Sequence, residues 1–96
     1  MNNICSAIEN SQLISFSYDD HSCVVEPHTY GENHKGNSAL RGYQIRGGSE
    51  SGEYHGWKIF LRDEMHGVTV LEETFSGTRR GYKRGDNAFA TKLCQL

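Results

Sequence analysis

Ninety-six residues, 35% of them hydrophobic and carrying a formal net charge of −2, are enough for one compact domain and too few for two. No stretch approaches the roughly 20 apolar residues of a membrane span, and the opening Met1-Asn2-Asn3-Ile4-Cys5-Ser6 has neither the basic nor the apolar region of a signal peptide. Eleven glycines against one proline favour tight turns between short strands over long helices.

Along the chain, Ile4, Ala7 and Ile8 recur at helical spacing behind Asn2 or Asn3 as a cap, which predicts a short helix over roughly 3–10. It is too short to be stable alone and must dock its apolar stripe. Ile14, Phe16 and Tyr18 alternate with Ser15 and Ser17, the period of a half-buried strand over 13–18. Asp19-Asp20-His21 reads as a hairpin turn and Cys23–Glu26 as a second strand, which Pro27 should end or place on an edge. Residues 30–38 read as a loop. A third strand over 39–46 puts Ala39, Arg41, Tyr43 and Ile45 on one face.

The Gly- and Ser-rich stretch 47–56 reads as a flexible connection. Trp57–Arg62 is the fourth strand, and Val68–Leu71, after a turn at Met65-His66-Gly67, is the fifth. A glycine-rich basic loop covers 76–87, and 88–93 can form a sixth strand. The class is therefore mainly β: one domain, 1–96, with a short N-terminal helix and five to six antiparallel strands suited to a small closed or partly closed barrel. Closure also shields strand edges.

Cys5, Cys23 and Cys94 are odd in number, widely spaced and without a Cys-x-x-Cys pair, so they read as ordinary thiols in a reducing cytoplasm. Charge is unevenly spread. Residues 1–76 hold five Lys/Arg and eleven Asp/Glu, a balance of −6, and residues 77–96 hold five Lys/Arg and one Asp, a balance of +4. The basic end suits an anionic partner.

Three stretches in order, Ala7-Ile8, then Ile14-Ser15-Phe16-Ser17-Tyr18, then Val24-Val25-Glu26-Pro27-His28, resemble the opening of a WYL domain. Trp57-Lys58-Ile59-Phe60 through Met65, then Val68-Thr69-Val70-Leu71 and Phe75, are similar to that family's later strands. The resemblance spans roughly residues 4–75. It implies an Sm-like or SH3-like β-barrel that binds nucleic acid or a nucleotide-type ligand, of the kind that regulates bacterial transcription factors and defence systems. Ser38-Ala39-Leu40 stands where the family has Trp-Tyr-Leu, Cys23 where it has a basic residue, and Glu64 where an Arg is usual. Those positions often serve ligand binding in the family.

Gly77-Thr78-Arg79-Arg80-Gly81-Tyr82-Lys83-Arg84-Gly85 is the strongest local signal. Guanidinium forks hold phosphates, an aromatic face stacks on a base, and glycines let the backbone approach. Arg79, Arg80, Lys83 and Arg84 are thus candidate phosphate ligands, with Tyr82 or Tyr43 for stacking. A second set is Arg41, Tyr43, Lys58 and Arg62, side by side in a barrel groove if their strands align. His28, after Glu26-Pro27, could orient a ligand at a strand end.

Five scattered His and three scattered Cys match no zinc spacing, and no cofactor or metal is expected. The chain has no Gly-x-Ser-x-Gly elbow, Walker-type loop or His-Glu-x-x-His. The leading expectation is a non-enzymatic binding module for a nucleotide or short single-stranded nucleic acid. The body's negative charge disfavours long duplexes. A protein-interaction or adaptor domain, with a homodimer as one form, is the second reading. A small nuclease or cyclic-nucleotide hydrolase using Glu26 and His28 is the third.

Overall fold

The computed structural model describes residues 3–47 and 56–96 of the chain. A helix, α1 (Asn3–Glu9), is followed by strands β1 (Gln12–Tyr18), β2 (His21–Asn33), β3 (Ser38–Gly47), β4 (Gly56–Leu61), β5 (His66–Thr74) and β6 (Phe89–Gln95). A short 3-10 turn, Arg62–Glu64, links β4 to β5. The expected connection over 47–56 falls mostly on residues 48–55, outside the described residues, as does Asn2 as a cap.

All six strands join one antiparallel sheet in the order β4-β3-β2-β1-β5, and β6 pairs with β2. Among the described residues β4 and β5, at the ends of that order, do not pair with each other, so the sheet is not closed. Asp19 and Asp20 both take positive φ, 50° and 63°, the two-residue turn that matches the twist of β1 and β2.

The main departure from the sequence reading is β2. It does not stop at Pro27 but runs thirteen residues to Asn33, absorbing the first part of the expected loop. The reason is a change of partner. The β1 pairing ends at Ile14↔Val25 and the β6 pairing begins at Thr29↔Gln95. Pro27, which has no N–H to offer, sits in the gap between them, beside a register shift between Pro27 and Thr29. Gly31 serves the same handover, because a Cβ there would run into the Thr91 carbonyl oxygen of β6.

The core lies between α1 and one face of the sheet. Ile4, Ala7 and Ile8 of the helix pack with Ile14, Phe16, Val25, Leu40, Phe60 and Met65. Fully burying side chains of this size contributes about 1.5–3 kcal/mol each, which is why a seven-residue helix persists. Phe60 meets Phe16 and Tyr18 edge-on, each with ring centroids 5.0 Å apart. The Tyr18 hydroxyl accepts the Leu61 N–H at 3.1 Å.

The cysteines correct a second expectation. Cys5 of α1 and Cys94 of β6, 89 residues apart in sequence, are joined by a disulfide. Distance along the chain gave no sign of it, because the fold brings its first and last elements together. Cys23 keeps its thiol, which is buried and whose titration burial pushes up. A disulfide belongs to oxidising environments more often than to the cytosol, so the thiol argument for a reducing compartment no longer holds. No helix of the described residues is long and apolar enough to cross a membrane.

Candidate functional site

The sheet face away from α1 carries the residues of interest, and the strand register determines which they are. Paired residues share a face. Thr29, Arg41 and Ile59 form one row, and Glu26, Tyr43 and Trp57 another. Lys58 pairs with Gly42, between those rows, and therefore belongs to the opposite face. Arg62 lies in the 3-10 turn, where its Nη1 donates to the Met65 carbonyl oxygen. The expected grouping of Arg41, Tyr43, Lys58 and Arg62 is thus split: Arg41 and Tyr43 are together, and Lys58 and Arg62 are elsewhere. The alternation along each strand was legible, but which residues of β3 and β4 stand opposite each other was not.

Over the Glu26–Tyr43–Trp57 face lies the basic segment between β5 and β6, tied down residue by residue. Arg79 binds the Glu26 carboxylate through two hydrogen bonds, Nε at 2.7 Å and Nη2 at 3.0 Å. Its guanidinium also sits 4.6 Å from the centre of the Tyr43 ring. Glu26 is 5% exposed, a burial that a carboxylate tolerates only when paired. The Trp57 Nε1–H donates to the Arg80 carbonyl oxygen at 3.0 Å. Gly81, at φ +93°, passes so close over the indole that a Cβ would lie 3.0 Å from Nε1.

Tyr82 points inward. Its hydroxyl lies 3.1 Å from both Thr29 Oγ1 and the Leu96 main-chain oxygen. The carbonyl can only accept, so Tyr82 donates to Leu96 and accepts from Thr29. Arg84 Nε donates to the same Leu96 oxygen at 2.7 Å. Asp86 holds the far end. It accepts from Arg41 Nε at 2.7 Å and from the Ala88 N–H at 3.0 Å. Burial raises the Asp86 carboxyl, but the hydrogen bonds of Arg41 and Ala88, with the charges of Arg41 and Lys92, outweigh it and keep the group below the ordinary carboxylate value. Next to it, His34 Nε2 donates to the Asn87 carbonyl oxygen at 2.8 Å.

His28 is the centre of this face and is fully buried. Its ring packs against Trp57 (4.7 Å between centroids), Tyr82 (5.0 Å) and Phe75 (5.5 Å). The Arg79 N–H donates to Nε2 at 3.1 Å. Nε2 must therefore be the bare nitrogen, and Nδ1 carries the proton that it donates to the Glu26 carbonyl oxygen at 2.8 Å. Burial holds the ring below the ordinary histidine pKa, against the smaller upward pull of the Glu26 hydrogen bond.

The four loop cations thus divide. Arg79 and Arg84 are used internally, whereas the side chains of Arg80 and Lys83 pair with no acid among the described residues and are exposed. Beside them opens a cleft of about 350 Å³ lined by Arg41, Trp57, Gly81, Tyr82, Lys83, Gly85, Asp86 and Asn87. Trp57 and Tyr82 are stacked there at 22° with centroids 6.1 Å apart. A second hollow of about 530 Å³ lies at the other end, near Glu26, Phe75, Thr78 and Arg79. Among the described residues no three His, Cys, Asp or Glu side chains gather as a metal site would need.

Sequence reasoning named Arg41, Tyr82 and Lys83, which line the cleft, Tyr43, which packs edge-on against Trp57, and His28, which packs against Trp57 and Tyr82. It did not assign Trp57 or Asp86 to a site. Asp86 carried a signal, as the one acid in the basic tail, and such a residue is suited to fold a basic loop back on itself. Comparison of the chain with family models, curated proteins and solved structures finds no match.

Proposed function

We propose that the protein is a non-enzymatic, WYL-like binding module whose ligand is an anionic nucleotide or a short single-stranded nucleic acid, held in the Trp57–Lys83 cleft. The observation that carries this reading is the meeting of an aromatic wall, Trp57 on Tyr82, with Lys83 in one cleft, Arg80 being exposed in the same loop and neither cation pairing with an acid among the described residues. A base can stack on such a wall while phosphate oxygens take the cations. Arg41 is neutralised by Asp86, and Arg79 by Glu26, so the anion site narrows to Lys83 and Arg80. This small set of cations favours a short or small ligand over a long duplex, whose binding needs many phosphate contacts. An Sm-like barrel built on this sheet order belongs to the same proposal.

A binding role is also supported by the state of the residues that would serve acid–base chemistry. Both Glu26 carboxylate oxygens are taken by Arg79, and both His28 ring nitrogens are occupied. The adaptor or homodimer reading draws on Leu93 and Ile59, 60% and 41% exposed, the latter on the end strand β4. A cytoplasmic location becomes a statement about Cys5 and Cys94, which should then titrate as thiols in freshly lysed cells.

Native mass spectrometry with short RNA, single-stranded DNA and cyclic nucleotides tests the reading. A stoichiometric complex with one class is expected, weakened at least tenfold by Lys83→Ala with Arg80→Ala while folding is unchanged. A protein that binds none of the panel, or binds equally well after that double substitution, overturns the assignment.

A further inference from the structure

The attachments of the 75–88 loop differ in what a proton does to them. At its far end Asp86 is ionised and paired with Arg41, and His34 donates from Nε2 to the Asn87 carbonyl oxygen, a bond that either protonation state of that ring can make. At its near end the Arg79 N–H depends on a bare Nε2 of His28. Protonating that nitrogen turns acceptor into donor, so two N–H groups would face each other across 3.1 Å.

Charge reinforces the change. Among the described residues, the charged or titratable groups at the His28 ring are Glu26 from its own strand and Arg79 and Tyr82 from the loop, while Trp57 of β4 and Phe75 beyond β5 supply apolar surface. An imidazolium and the Arg79 guanidinium would compete for the single Glu26 carboxylate, whose two oxygens Arg79 already holds. Loss of Arg79 would also free the Arg80 carbonyl oxygen from the Trp57 indole.

We infer that residues 76–81 of the loop are an acid-released strap, hinged at Tyr82, whose hydroxyl stays bonded to Thr29 and Leu96, in which protonation of His28 detaches Arg79 and uncovers the face of Trp57 that the strap covers. The direction follows from linkage. The buried ring resists the proton, whereas an unburied histidine takes it at about 6.5. Attachment of the strap is therefore complete above 6.5 and is lost as the pH falls through the lower value of the buried ring. No ligand is involved, so the inference stands or falls apart from the binding proposal.

Amide hydrogen exchange measured by NMR over a falling pH series, corrected for the intrinsic exchange rate, tests it on the unliganded protein. The Arg79 amide and the Trp57 indole N–H should lose protection on the order of tenfold per pH unit, with the midpoint of the His28 ring-carbon resonance, while Val25 and Leu40 amides stay protected. His28→Gln, which offers an untitratable oxygen at the same reach, should remove that pH response. If His28→Gln does not fold, the wild-type co-titration decides alone. Loop and sheet losing protection together, an Arg79 amide still protected once His28 is charged, or an unchanged response in a folded His28→Gln protein would each overturn the inference.

Discussion

The helix side of the sheet and the loop side are covered in contrasting ways. On the helix side, Ile4, Ile8, Ile14, Leu40 and Phe60 are packed with little or no exposure, and the Cys5–Cys94 bond adds a covalent tie. On the loop side, Arg79, Trp57, Tyr82 and Asp86 each hold the basic segment through one or two directional hydrogen bonds. Apolar burial is non-directional and indifferent to protonation. A hydrogen bond can be cancelled by a single proton or a single substitution. One side therefore sets whether the domain folds, and the other sets the state of one segment within a folded domain.

The contrast makes graded predictions. The largest effect belongs to the disulfide: replacing Cys5 and Cys94 with Ser removes a link across 89 residues, a loop length for which about 4–5 kcal/mol of stability is expected. Urea unfolding should show it, with the folded baseline of Trp57 fluorescence unchanged. Phe60→Ala should cost about 3–5 kcal/mol in the same measurement, again without altering the loop. If either changed the Trp57 environment before unfolding, the two sides would not be separable.

Arg79→Ala lies on the other side of the comparison. It leaves the Glu26 carboxylate buried without its partner, but the Arg79 side chain is 46% exposed and solvent screens part of the loss. A cost of about 1–3 kcal/mol is expected, together with a shifted Trp57 emission in the folded protein. Gly81→Ala is the mildest. It forces a Cβ onto φ +93° above the indole, at about 1–2 kcal/mol, and should raise exchange at Arg79 and Tyr82 while leaving β1 and β2 untouched.

Much of the helix-side architecture was readable from residue order. Ile4, Ala7 and Ile8 gave α1 within a residue, and the alternation of Ile14, Phe16 and Tyr18 gave β1. What escaped depended on contacts between distant parts of the chain. Pro27 reads locally as a strand end, and only the exchange of β1 for β6 as neighbour makes a place for it inside β2. Likewise Cys5 and Cys94 carry no local mark of pairing. The site was legible as a composition, cations and aromatics in one basic stretch, but not as a geometry. Whether Arg79 faces a ligand or Glu26 is decided by a residue 53 positions away, while Arg80, its neighbour, is exposed.

The disulfide also has a mechanical meaning. Because it joins Cys5 to Cys94, the chain between them is a covalent ring that contains β1 to β5 and β6 as far as Cys94. Tension applied at residues outside the ring would pass through one sulfur–sulfur bond and bypass the sheet. Pulled from those positions, the oxidised domain should extend by little more than its own width. Reduced, it should unravel strand by strand from β6 inward.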